Sequence, residues 1–318
     1  MEDILMPKQK KEGHKRPSKL NRILKKERSK ILFLSAFLLP LLLFYIICDV
    51  VPIFSSFISS FHKWSGFGNK EYIGLKNYIN VLKDPVFFKA IKNDLMYVLG
   101  KELLIVPITI LFAVALTRLR LMKMEKKIYR YLFYIPNILS VSITGIMWAF
   151  VYDPYNGLLN GFMKLIGLQH LIPKDGWLVQ YTMPSIIVVA TWCGIGYFMI
   201  VMISAINSVS KELYEAAEVD GAGQWAQLWG VTMPAVWEQL RFVIVQIIMG
   251  TIGNYSLAMI LANGGVNGSG MVMGLYVYQY GLSSATPKVG YANAAAVLLM
   301  IISSSIVLIT NKLLKEEV

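Results

Sequence analysis

The sequence predicts an all-α membrane protein with six transmembrane helices, and three observations carry that prediction. The 318 residues are 56% hydrophobic and only 16% charged, whereas a soluble domain needs about a quarter charged residues to cover its surface. Apolar runs of about 20 residues, the length a helix needs to cross the hydrocarbon core, recur along the whole chain. The net charge of +12 is concentrated in the amino-terminal tail and one short loop, a distribution that suits anchoring at a membrane face and not nucleic-acid binding.

In chain order the runs cover residues 31–53, 94–117, 131–151, 181–206, 239–262 and 289–312. The first follows a basic tail, as a signal peptide would, but it is too long for an h-region and no A-x-A-like site follows, so it is expected to be retained. Pro40 and Pro52 predict kinks within it, which membrane helices tolerate. The chain thus divides into a basic tail, residues 1–30, and a membrane domain, residues 31–318. The tail and loop 118–130 are rich in Lys and Arg, while loops 153–180 and 263–287 are nearly free of them. The positive-inside rule therefore places both termini and loop 207–238 in the cytoplasm. Segment 62–92 carries six lysines and argues the other way; the denser tail, abutting the first span, outweighs it. Residues 74–93 show helical apolar spacing but are too polar to span, which predicts one or two short helices on the outer face.

Catalytic chemistry has little to stand on. Cys48 and Cys193 form no CxxC pair, and His14, His62 and His170 are scattered, so neither a disulfide framework nor a metal site is expected. No phosphate-binding G-x-x-x-x-G-K-[ST] loop occurs. The expectation is a chain that is not an enzyme and holds no cofactor. Lys101 and Glu102 fall inside the second run, near its outer end, where snorkelling or pairing with a neighbour is expected. Glu238 and Gln246 read as interfacial anchors or interhelical contacts.

One polar stretch interrupts the apolar pattern: KELYEAAEVDGAGQWAQLWGVTMP, residues 211–234. Ser210 is placed to cap a helix whose first turns hold Glu212 and Glu215, favourable against the helix dipole. Gly221 should end that helix, because glycine adopts the left-handed conformation at little cost. A second short helix with Trp225, Leu228 and Trp229 should stop before Pro234. Anionic inner-leaflet lipid would repel this acidic knob, so a basic protein surface is the better partner.

The spacing Glu215-Ala216-Ala217, three residues, Gly221, nine residues, Val231-Thr232-Met233-Pro234 resembles the EAA loop of ABC-importer permeases, EAA-x3-G-x9-I-x-L-P. The departures, Val231 and Met233, are both apolar. Other segments resemble the maltose-type oligosaccharide permeases: GLKNYINVLKDPVFFKAIKN from residue 74, WAFVYDPYNGLLNGFMKLIGL from residue 148, LANGGVNGSGMVMGLYVYQYGL from residue 261, where Val266 replaces the usual Pro, and GYANAAAVLLMII from residue 290. The resemblance covers the chain from Ile31 onward. It implies a type I importer permease fold in a bacterial cytoplasmic membrane, with a coupling helix in the loop at about 208–237 formed by Glu215, Ala216, Ala217, Gly221 and Pro234. It implies as partners a cytoplasmic ATPase dimer that binds ATP and Mg, a second, related but different permease subunit, an extracytoplasmic sugar-binding protein, and membrane lipid. Nucleic acid is not among them. The implied function is ATP-driven, binding-protein-dependent uptake of a sugar, by preference an oligosaccharide. Uptake of glycerol phosphate or another polyol is the alternative, with a secondary transporter behind it.

The same resemblance places substrate contacts. TWCGIGYFM aligns Gly194 and Tyr197 with sugar-contacting positions, with Trp192 beside them, although Ala190 stands where the family often has Asn. GTIGNYSLAMILANGG puts Gly250, Thr251 and Asn254 on a second wall. Neutral donors and acceptors with apolar stacking surface are what a sugar requires. Thr251 and Asn254, three apart, are expected on one helical face. For Gly194, Gly196, Gly250 and Gly253, close helix packing is the competing explanation.

Overall fold

The computed structural model describes residues 19–118 and 122–315. The basic tail therefore lies mostly outside the described residues, and so do residues 119–121 of the basic loop. The described residues fall into two compact units, divided between Ser56 and Phe57. In the first, α1 (Lys19–Tyr45) leads through a π-helical turn, Ile46–Val50, into the start of α2 (Val51–Ser60). Apolar side chains from Ile31 to Ile53 are exposed along this run. In water that would be untenable; toward hydrocarbon it is the favourable state.

The second unit is built on two long helices, α4 (Pro85–Arg118) and α9 (Thr182–Ser208). Their facing stripes form the middle of two apolar clusters. One includes Phe87, Ala90, Tyr97, Ile186, Val189 and Tyr276. The other includes Ile105, Ala113, Met199, Met202, Val243 and Ile247. A β-carbon on Gly196 of α9 would overlap the carbonyl of Phe133 in α5 (Lys123–Ile138), so glycine is what lets those two backbones approach.

Among the described residues, four helical runs are long and apolar enough to cross a membrane: Lys30–Ser60, Pro85–Arg118, Thr182–Ser208 and Val289–Leu313, the last being α16. Counting each of two bent helix pairs as one span brings the number to six. The expected third span, 131–151, is broken between α5 and α6 (Val141–Val151) with a bend of 99°. Leu139 and Ser140 are extended there, and Ser140 Oγ accepts the Ile143 N–H to start α6. The expected fifth span, 239–262, is also two helices. Helix α13 (Trp237–Thr251) ends where Ile252 turns extended and Gly253 takes φ +82°, and α14 (Ser256–Ala262) follows. A mostly apolar run conceals both breaks, because hydropathy is blind to backbone conformation.

The segment expected to lie on the outer face divides. Residues Lys76–Val81 form the short helix α3, but from Pro85 the chain already belongs to α4, with Phe87 and Ala90 fully buried. Polar groups at this end of α4 tie distant segments together. Asn93 Nδ2 donates to the carbonyls of Gly268 and Met271, and the Met273 N–H donates to Asp94. Asp84 Oδ2 accepts from the hydroxyls of Tyr276, Tyr280 and Tyr291.

Candidate functional site

The two helix breaks meet at one place. Between them, against the α4–α9 pair, lies an open cleft of about 270 Å³. Tyr97 and Lys101 of α4 line one side; Pro136 and Asn137 of α5, and Thr144 of α6, line another. Ala190, Cys193, Gly194, Tyr197 and Phe198 of α9 form the floor, and Asn254 and Leu257 close the far wall. Non-helical backbone at membrane depth is tolerated where it lines a cavity or is buried in protein, and these breaks do so. Two asparagines beside the breaks bond locally: Asn137 Nδ2 donates to the Cys193 carbonyl at 3.3 Å, and Asn254 Oδ1 accepts from the Ser256 N–H at 3.3 Å.

Of the six residues assigned to substrate walls, Gly194, Tyr197 and Asn254 line the cleft. The other three lie off it. Trp192 packs edge-on against Trp148, ring centroids 5.6 Å apart. Gly250 has nothing close to its missing β-carbon. Thr251 is buried, its hydroxyl donating to the Ile247 carbonyl. It shares no helical face with Asn254, because α13 ends at Thr251 and Asn254 sits in the break.

Lys101 is the residue that sequence reasoning placed elsewhere. Its ammonium does not snorkel outward: Nζ donates to Thr251 Oγ1 at 2.9 Å and lies 5.6 Å from the centroid of the Tyr97 ring. The signal was available, since an ionisable residue within a membrane span is by default a functional candidate. Pro136 and Asn137, inside an apolar run, were a second missed cue to a break.

The polar stretch 211–234 folds close to expectation. Helix α10 (Lys211–Val219) starts with Ser210 Oγ accepting the Glu212 N–H at 3.3 Å. It ends in a Schellman motif: Ala222 N–H bonds to the Ala217 carbonyl, Gly221 N–H to that of Glu218, and Gly221 has φ +78°. The second helix runs further than expected. From α11 (Gln224–Gln227) it continues through a π-helical turn and α12 (Met233–Ala235), taking in Pro234, and α13 then departs at 70°. Pro234 is tolerated because it falls at the start of α12, where the π-helical turn has already altered the hydrogen-bond ladder.

Arg118 of α4 makes the polar contacts to this knob. The Arg118 guanidinium stacks 3.6 Å from the centroid of the Tyr214 ring, and its Nη2 donates to Thr232 Oγ1 at 3.3 Å. The Tyr214 and Thr232 hydroxyls share a further bond of 3.1 Å. On the outward side Glu212, Glu215, Ala216, Glu218, Gly221 and Pro234 are exposed, together with Leu213, Val219, Trp225 and Trp229, while Ala217 is half-buried. None of these acidic residues has an ion-pair partner among the described residues.

Long exposed apolar helices, broken spans around a cleft with polar walls, and a polar knob between spans define a multi-pass membrane permease. Residues 105–316 match the family described as the binding-protein-dependent transport system inner membrane component, and the chain belongs to that family. It is 31% identical over 282 residues to the probable ABC transporter permease protein YurN of Bacillus subtilis, covering 88% of this chain and 94% of that protein. It is 26% identical over 297 residues to the diacetylchitobiose uptake system permease protein NgcF of Streptomyces coelicolor, covering 89% and 83%. Among solved structures it is similar to a chain of a bacterial alginate ABC transporter in complex with an alginate pentasaccharide-bound periplasmic protein. The TM-score is 0.77 at 25% identity, over 90% of this chain and 95% of that one. The fold is that of type I ABC importer permeases.

Proposed function

We propose that this chain forms part of the membrane pathway of an ATP-driven importer for a saccharide, handed over by an extracytoplasmic binding protein. The observation that carries the reading is the cleft. Two helix breaks open it, an aromatic side chain and neutral hydrogen-bonding groups line it, and Gly194, Tyr197 and Asn254 stand at positions that the maltose-type resemblance assigns to sugar contact. Diacetylchitobiose and alginate, named for two similar proteins, are both carbohydrates. Energy enters through the loop at 208–237, whose exposed acids and tryptophans suit a basic, partly apolar cleft on a separate ATPase dimer. Glu215, Ala216, Ala217, Gly221 and Pro234 form that contact. ATP and Mg belong to the ATPase, and a second, related permease subunit completes the pathway. Both termini and the loop face the cytoplasm.

The test is reconstitution of the importer in proteoliposomes, with uptake of labelled saccharide followed with and without ATP and binding protein. Uptake that requires both is expected; a saccharide gradient alone driving full uptake would exclude the reading. Orientation is checked in cells with a Cys48- and Cys193-free background: a cysteine at position 270 should label from outside, and one at position 225 should be protected. The reverse pattern would invert the topology.

A further inference from the structure

We propose that the cleft recognises a saccharide bearing an anionic group, with the Lys101 ammonium as that group's partner. The inference rests on the saccharide reading above and names its substrate class. The observation behind it is the charge of the cleft wall. Lys101 lines the cleft, and its bond to Thr251 Oγ1 uses one of three ammonium protons. Thr251 spends its own hydroxyl proton on the Ile247 carbonyl, so toward Lys101 it is an acceptor only.

No carboxylate among the described residues lines the cleft. Among the described residues, no Asp or Glu oxygen lies within 4.0 Å of Lys101 Nζ. The two acids nearest along α4 make no direct bond to it. Asp94, two turns away, is buried, accepts the Met273 N–H and does not line the cleft. Glu102, the adjacent residue, is close enough for the two charges to attract, but side chains one apart leave a helix in different directions, and the two form no ion pair. The Tyr97 ring, 5.6 Å from Nζ, presents its negative face to a cation. The remaining polar lining, Asn137, Thr144, Tyr197 and Asn254, is neutral and suits hydroxyl groups. A concave wall of low dielectric that presents a cation concentrates anions, and an ammonium bonds to a carboxylate more strongly than to a neutral hydroxyl.

The competing role for Lys101 is a strut that holds the end of α13 through Thr251. The experiment separates the two. The importer complex, in lipid nanodiscs and without binding protein, is titrated by ligand-observed NMR. The probes are trigalacturonate, its fully methyl-esterified and therefore uncharged form, maltotriose, and glycerol 3-phosphate. The free acid is expected to bind about tenfold more tightly than the ester, about 1.4 kcal/mol. Lys101→Met should erase that difference while sparing the ester, Lys101→Arg should keep most of it, and Thr251→Val, which removes the ammonium's protein acceptor, should still leave the acid bound more tightly than the ester. Equal binding of acid and ester by the unmutated complex would overturn the proposal without reference to any variant, and the saccharide reading would then stand alone. Equal losses for acid and ester in both Lys101→Met and Thr251→Val would make Lys101 a strut and also overturn it. Binding of none of the saccharides would remove the saccharide reading as well. A preference for glycerol 3-phosphate over every saccharide, lost in Lys101→Met, would overturn the saccharide half and transfer the anion to a phosphate ester.

Discussion

The cleft and the knob are opposite solutions to placing polar groups in a membrane protein. The cleft is concave and assembled from distant parts of the chain: Lys101 and Thr251 touch across 150 residues of sequence. Its polar side chains are few and set among apolar walls. The knob is convex and local. Ser210 starts it and Gly221 turns it, and its acids and tryptophans face outward with no ion-pair partner among the described residues. A concave site selects a small ligand by enclosing it, whereas a convex one with unsatisfied charge is shaped to be enclosed by something larger.

The sharpest way to break the comparison is to disable the knob and leave the cleft intact. Glu215→Lys reverses the charge at the centre of the exposed acidic face. Gly221→Pro cannot adopt φ +78° and removes the N–H that bonds to Glu218. Losing one side of a desolvated ion pair at an interface costs about 2–5 kcal/mol. Both variants should therefore insert normally but lose ATPase co-elution, or the stimulation of hydrolysis by loaded binding protein. Normal stimulated turnover in both would show that the knob is not where energy enters.

The reverse experiment disables the cleft. Tyr197→Ala and Asn254→Ala each remove a polar group from its wall. A lost buried hydrogen bond is worth about 1–3 kcal/mol, so the transport affinity should fall about 5- to 150-fold. Assembly and basal hydrolysis should be unaffected. Unchanged uptake kinetics in both would return these residues to a packing role.

The smallest effect is expected where the two regions connect. Arg118 joins the end of α4, whose other half lines the cleft, to Tyr214 and Thr232 of the knob. A partly exposed cation–π contact contributes about 0.5–2 kcal/mol. Arg118→Ala should lower the saccharide transported per ATP hydrolysed by a few fold, with the ATPase still bound and the transport affinity unchanged. Arg118→Lys, which keeps the charge but not the planar stack, should recover only part of it. A transport-to-hydrolysis ratio that stays constant in both would make the contact a passive brace.

The difference between the two regions also explains what could be read before folding. The knob was legible because its determinants are neighbours: a capping serine, a left-handed glycine and the residues between them lie within one short stretch, and local backbone preference suffices. The spans were legible from hydropathy, because a buried helix must be about 20 apolar residues long. The cleft was not. Its shape depends on breaks at 139–140 and 252–255 inside runs whose average hydropathy stays high, and backbone conformation there is decided by packing and capping across the core. Lys101 shows the consequence. By position along its helix it could reach the membrane surface, and a long side chain leaving hydrocarbon for water is the default. Only the arrival of Thr251 from the end of α13, beside the Tyr97 ring, supplies an acceptor and an aromatic face that hold the ammonium inward. Local order along the chain accounts for the helices, the knob and the length of each span. The site between the helices exists only once residues far apart in sequence have paid the entropy of meeting, and no window of neighbouring residues records that.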